Sequence, residues 1–378
     1  MSHAQVNPDL LAWSRLRAGL SEFEVAKSLP VKVDKIFEWE TGESFPTFKQ
    51  AQKWATLAHV PFGFLFLSEP PEERLPLPDL RTVGGDAIEV PSLNLREVVK
   101  DVLRKQEWFL DYLKAQEADP LPFVGRYSLE ASIGDVAMDM RRVLGVDLDG
   151  ARPNYDEYLR LLIRGAEAAG VLVMRSGIVG SNTRRRLDVG EFRGFAISNR
   201  YAPVVFINSS DAPSARLFTL MHELAHIWIG SSGVSRVGVE EDRREEIYCN
   251  AVAGEFLAPE SVFRNGWRER LSFEDNVSQL SSFFRVSALV VARRASDLGY
   301  ISKAEYGEYY REQLRAFRDR DEGGGGSFYR NATAKNSARF SRAVVAEAMS
   351  GRMLLRDAAK LLAMQPSKLR TFASTFKE

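Results

Sequence analysis

Two of the chain's four histidines, His222 and His226, stand four residues apart, with Glu223 directly after the first. On a helix, side chains at i and i+4 leave the same face. Neutral imidazole is a good ligand for Zn²⁺. Glu223 falls beside the pair, placed to hold a water next to a bound ion without filling its coordination shell. This is the H-E-x-x-H arrangement, and the chemistry it serves is metal-assisted hydrolysis. Leu220, Leu224, Ala225 and Ile227 around it are uncharged, as a partly buried helix requires. The bland alternative is two histidines satisfied by ordinary partners on an amphipathic helix. In a chain so poor in histidine, chance seldom produces the motif.

A hydrolytic zinc needs a third protein ligand and one open position. His3 and His59 are remote in sequence, so a carboxylate is expected. Ile229 stands where a metzincin carries glycine, which excludes that class. The stretch EEDRREEIYCNAVAGEFLAP then offers Glu246, twenty residues after His226. Its i+3, i+4 and i+7 neighbours are Cys249, Asn250 and Ala253, small enough for two helices to approach closely. Glu245 and Glu255 remain alternatives on pattern alone.

FTLMHELAHIW followed by EEIYCNAVAGEFLAP resembles the ImmA/IrrE family of metallo-endopeptidases. Its members are gluzincin-like, with H-E-x-x-H and a downstream glutamate in an E-x-x-A-N-x-F-A type of helix. Aligning Asn250 with the family asparagine puts the third ligand at Glu246. Cys249, Val252 and Gly254 depart from the family pattern and leave the metal residues untouched. The likeness extends over roughly residues 155–300, through GFAIS, VVFINS and Arg216 upstream and FFRVSALVVARRASDLGY downstream. It implies one Zn²⁺ per chain, Glu223 as general base and a protein substrate such as a repressor or antitoxin, cut in a stress, phage or toxin–antitoxin type of response. A developing oxyanion also needs a donor. Tyr248, Tyr201 and Arg216 are the candidates, although Arg216 suits a structural pairing better. Cys249 reads as a small buried residue, because its neighbours are acidic and would not favour a thiolate.

The elements that must position these residues are legible in outline. Two short strands, Phe192–Ser198 and Pro203–Ser209, form an expected hairpin. VLVM, 171–174, follows a helix over Tyr155–Ala169, and the motif helix spans about Ala212–Trp228, with Asp211 or Ser214 as its cap. Further helices are expected over Glu240–Leu257, Asn276–Leu298 and Lys303–Arg318. The fold class is therefore mainly α with a small β-sheet, α+β. It comprises an N-terminal helix-turn-helix bundle (1–67), a linker (68–91), a helical region (92–154), a gluzincin-like peptidase domain (155–300), a helical extension (301–322), a Gly-rich break (323–327) and a basic helical tail (328–378).

In the first unit, Ser21 with Glu24 forms a capping-box pattern, and Thr47 is placed to cap a later helix. RAGLSEFEVAKSLPVKVDKIFEWETGESFPTFKQAQKWA resembles the Xre/Cro-type helix-turn-helix, which implies double-stranded DNA as a partner, with Lys32 and Lys35 as contacts. Yet residues 1–60 carry seven basic and seven acidic side chains, a poor electrostatic match to a duplex. A packing or partner-binding module is the alternative. In the tail, Leu354–Ser374 reads as another helix-turn-helix, with Lys368 and Arg370 at its second helix as nucleic-acid contacts. Arg184, Arg185 and Arg186 form a basic run near the expected cleft, as a substrate-binding loop or a solvated one.

The whole chain, 378 residues with 51 basic and 51 acidic side chains, gives no general argument for nucleic acid or membrane. A single cysteine argues against a disulfide-built secreted fold. Together with an N-terminus unlike a signal peptide and no apolar run of spanning length, it points to the cytoplasm. The reading of a different class is a DNA-binding transcriptional regulator whose metal site is structural or sensory.

Overall fold

Local capping rules place the first helices. In this computed structural model, which describes residues 3–71, 91–146, 155–235, 244–318 and 328–376, α1 (Pro8–Arg17) begins on Asn7. The Ser21 and Glu24 capping box opens α2 (Glu22–Ser28). Lys32 precedes α3 (Val33–Thr41), which ends on Gly42. A second capping box, Thr47 with Gln50, opens α4 (Phe48–Leu57). Residues 72–90 of the linker, the end of the helical region beyond 146 and the Gly-rich break lie outside the described residues.

The described chain divides into two compact units, one up to residue 100 and one from 101 onward. In the first, Ile36, Trp39, Trp54 and Leu11 form the core. Arg15 reaches Glu40 through two hydrogen bonds of 2.6 and 2.8 Å. The acidic side of the E-W-E-T-G-E stretch is therefore partly spent inside the unit. α5 (Leu93–Ala115) begins in this unit and continues into the next.

The second unit continues with α6 (Ile133–Leu144) and α7 (Tyr155–Ala169). A four-stranded sheet follows, made of β1 (Leu172–Ser176), β2 (Gly194–Ile197), β3 (Val204–Asn208) and β4 (Gly233–Ser235), in the order β1-β3-β2-β4. β2 and β3 pair antiparallel as the expected hairpin; β1 joins β3 in parallel and β4 adds to β2. Alternation puts Ala196, Val205 and Ile207 into the core shared with α8 (Pro213–Ile229). Phe195 and Phe206 stack at 4.9 Å on the opposite face.

α8 is enclosed by the sheet, by α6 and by α9 (Arg244–Leu257). Its N-cap is Ala212, with no side-chain cap, rather than Asp211 or Ser214. Pro213 in the first turn has no N–H to satisfy, and Asp211 instead takes the Ala212 N–H at 2.8 Å. At the other end, Gly230 turns with φ +78°, and a Cβ there would come within 3.0 Å of the Gly125 Cα. That close approach lets the Gly125 and Tyr127 amides bond the Ile227 and Trp228 carbonyls.

Beyond α9 come α10 (Glu260–Gly266), α11 (Phe273–Phe284), α12 (Ala288–Asp297) and α13 (Lys303–Arg318). Arg285, with φ +53°, separates α11 from α12. The chain resumes in α14 (Phe328–Asn336), α15 (Ala338–Met349), α16 (Leu355–Leu361) and α17 (Leu369–Ser374). The Glu167 carboxylate accepts from the Ser337 hydroxyl at 2.7 Å and the Ala338 amide at 2.8 Å, fastening the start of α15 to α7. No helix among the described residues is long and apolar enough to cross a membrane.

One buried carboxylate ties α6 to α8. Asp139 accepts from the Trp228 indole at 3.0 Å and from Arg126 at 2.9 and 3.1 Å, and also pairs with Arg142. Burial would raise its pKa, but these hydrogen bonds outweigh it and hold the carboxyl below its usual range. Asp139→Ala should cost roughly 2 kcal/mol, chiefly by stranding the Trp228 N–H in the core, read as a lower urea midpoint. Because the folded pKa is the lower one, the wild-type contribution is present above the ordinary carboxylate pKa. It fades as pH falls through the lowered value, so the gap between wild type and variant should narrow in acid.

Candidate metal centre

The motif helix brings His222 and His226 to one side of α8, and α9 lays Glu246 against them. The two Nε2 atoms are 3.1 Å apart. Glu246 places one carboxylate oxygen 3.1 Å from the His222 Nε2 and the other 3.4 Å from the His226 Nε2. A tetrahedral Zn²⁺ with bonds of about 2.0–2.1 Å would hold its ligand atoms about 3.3 Å from each other, so this donor set suits that ion. Lone-pair atoms held this close repel one another unless they share a proton or a cation. Two imidazoles and a carboxylate also suit other divalent metals.

The electrostatics agree with that chemistry. Burial disfavours a charged Glu246, but hydrogen bonds from His222 and His226 more than compensate and hold its pKa far below the usual carboxylate range. Burial likewise opposes protonation of His226. Cys249, Glu245 and Glu246 overcome that and hold its pKa well above the ordinary imidazole value. The groups that draw a proton into this pocket are those that would draw a cation.

Glu245 and Glu255, the other carboxylates that the spacing allowed, have different work. Glu245 sits 3.2 Å from the His226 Nδ1 and takes the Ser231 hydroxyl. A carboxylate behind a ligating imidazole fixes the ring's orientation and raises its basicity. Glu255 pairs with the buried Arg294 of α12, whose Nε also caps the Ala258 carbonyl at 2.9 Å. Burial pushes the Cys249 thiol up, against the pull of His226, consistent with a buried small residue.

Glu223 is fully buried on α8, next to β2. A Cβ on Gly194 would lie 2.8 Å from the Glu223 Oε1 and 2.8 Å from the Phe206 carbonyl oxygen. Only glycine at the start of β2 leaves room for this carboxylate. His222, Glu223 and Glu246 line a cleft of about 630 Å³, counting its open mouth. Arg193, Thr219, Asn250, Arg293, Tyr306 and Tyr310 also line it.

Arg193, Tyr306 and Tyr310 had no sequence signal, since no spacing links them to the motif. Among the earlier candidates, Tyr248 donates to the Ala131 carbonyl at 2.9 Å, and Arg216 holds the Ser209 and Asp211 carbonyls. Tyr201 is 43% exposed at the hairpin. None of the three lines the cleft. Nor do Arg184, Arg185 and Arg186, which sit in a turn closed by the Val179 amide on the Arg185 carbonyl.

The residues expected to meet nucleic acid lie elsewhere. Lys32 is exposed at the start of α3, and Lys35 pairs with Glu38. Phe23 on α2 and Val33 and Phe37 on α3 are exposed. Lys368 lies 4.0 Å over the Phe328 ring, while Arg370 is exposed on α17.

Residues 166–296 match the family model Peptidase_M78, described as the IrrE N-terminal-like domain. The matched segment contains β1 to β4, α8, α9 and the whole donor set. Residues 336–375, which contain α15 to α17, match a model described as a domain of unknown function, DUF8813. A search of curated proteins found no match to the chain.

Two substitutions separate the parts of the site. Glu245→Ala should weaken metal binding about 10- to 100-fold in a competitive chelator titration, because it frees the His226 ring. Gly194→Ala should leave the metal content unchanged but lower the melting temperature, because its Cβ meets backbone as well as the Glu223 carboxylate. Equal chelator curves for Glu245→Ala and wild type would contradict the role given to Glu245.

Proposed function

We propose that the chain is a cytoplasmic zinc-dependent endopeptidase that cuts a specific protein partner, such as a repressor or antitoxin. The observation that carries this reading is the convergence of the His222, His226 and Glu246 ligand atoms beside a cleft whose lining includes His222, Glu223 and Glu246. The family match at residues 166–296 supports a peptidase.

His222, His226 and Glu246 would hold the ion, one per chain. When bound, zinc supplies a Lewis acid for the scissile carbonyl and lowers the pKa of water to about 7. The Glu223 carboxylate takes a proton from the attacking water and delivers it to the leaving amide nitrogen as the C–N bond breaks. Its burial against Gly194 keeps it at one position, and the surrounding apolar side chains exclude bulk water from the proton's path. Glu245, through His226, keeps the imidazole oriented.

The second reading, a DNA-binding regulator with a metal site that does not turn over, draws on the short α2–α3 connection with Lys32 exposed at the start of α3. The two readings part at Glu223. Cells expressing wild type should show new protein N-termini that are missing with Glu223→Gln, while both purified proteins carry about one zinc. The rate on the cleaved partner should fall by about 10²–10⁴. Identical N-terminal profiles for wild type and variant would remove the peptidase reading and leave the regulator.

A further inference from the structure

The cleft has a wall that the H-E-x-x-H motif does not supply. α13 contributes Tyr306 and Tyr310, four residues apart and therefore on one helix face, with ring centroids 6.4 Å apart. Tyr310 is the more tightly held. The Arg193 guanidinium lies 4.4 Å over its ring, and Arg193 is itself 3.8 Å from the buried Asp211 carboxylate. The Tyr310 hydroxyl is shielded from solvent, and no acceptor among the described residues takes its proton. Arg193 cannot do so, because a guanidinium has no acceptor atom.

A shielded hydroxyl without an acceptor costs roughly 1–3 kcal/mol. Phenylalanine would fill the same space without that cost, so the hydroxyl calls for an acceptor that arrives from the cleft. The cleft's other residues say which. His222, Glu223 and Glu246 line it with Tyr310, so a peptide bond placed for attack presents its carbonyl oxygen between these groups.

We infer that Tyr310 is a catalytic residue, whose hydroxyl donates a hydrogen bond to the scissile carbonyl oxygen as that oxygen gains negative charge. The inference rests on the peptidase reading and extends it to a residue beyond the segment matched by the family model. The water oxygen bonds to the carbonyl carbon, the C–N bond breaks and Glu223 carries the water's proton to the nitrogen. Tyr310 keeps its own proton throughout. Burial lifts the pKa of that hydroxyl above its ordinary value, against the pull of the Arg193 charge, so the donor stays protonated at working pH. Arg193 acts as a positioning residue that holds the ring.

The test uses the full chain loaded with Co²⁺, whose visible spectrum reports on its ligands, and inorganic phosphate as a tetrahedral oxyanion probe. Wild type, Tyr310→Phe and Tyr309→Phe are titrated with Co²⁺ and then with phosphate. Tyr309 is the control, since it packs on Phe273 at 5.3 Å and does not line the cleft. The expected result is equal Co²⁺ affinity in all three and phosphate binding about tenfold weaker in Tyr310→Phe alone. Equal phosphate affinity in Tyr310→Phe and wild type, or no phosphate response in wild type, would overturn the role of Tyr310 and leave the peptidase reading standing. Failure of wild type to bind Co²⁺ would remove that reading, and this inference with it.

Discussion

The second unit is organised around a costly requirement: α8 must carry two imidazoles and a carboxylate through the middle of an apolar core. His222, Glu223 and His226 are each at most 5% exposed, and Leu220, Leu224 and Trp228 of the same helix are completely buried. An isolated buried charge is costly unless another charge or a metal answers it. α9 answers it from one side with Glu245 and Glu246. The sheet answers from the other with a glycine, which makes room for Glu223 instead of displacing it. Close packing of α8 against α9 is thus a condition for the electrostatics as well as for the core.

That requirement explains why the other acidic residues of α9 are not interchangeable with Glu246. Three glutamates in one segment could each have met the histidines by spacing alone. Their fates are set by neighbours from distant parts of the chain. Ser231, just past the end of α8, takes Glu245, while Arg294 of α12 takes Glu255. Arg294 also caps the end of α9 and lies against Gly254, where a Cβ would come within 3.3 Å of its guanidinium. A glycine there leaves space for that arginine.

What the sequence made legible was local. The capping box at Ser21 and the cap at Thr47 depend on residues a few positions apart, and the structure forms both, adding Gln50 as the partner of Thr47. The i, i+4 histidine pair and the β2–β3 hairpin also follow from short-range spacing. The parallel pairing of β1 with β3 and the addition of β4 depend on long-range closure, which leaves no periodic mark. The cap expected for α8 failed because the helix is capped one residue later, at Ala212: Asp211 has the right side chain but takes the Ala212 amide and lies near Arg193. Arg184–Arg186 drew attention as a charge run. The arginines that line the cleft are Arg193 and Arg293, and neither belongs to that run.

The donor set and the cleft wall therefore come from parts of the chain with different sequence logic. The donor set needs fixed spacing on two adjacent helices, so any chain that builds it shows a recognisable pattern. A wall residue needs only to arrive at the right place, from whichever element the fold brings there. α13 lies outside the matched segment yet faces the same cleft, and α12 joins them physically, packing on α8, α9 and α13. Arg293 of α12 lies 5.9 Å from the Phe218 ring of α8 and 5.6 Å from the Tyr306 ring of α13. One arginine thus spans from the motif helix to the wall. Through it, the position of the wall is tied to the same core that holds His222, His226 and Glu246, although no motif connects the two.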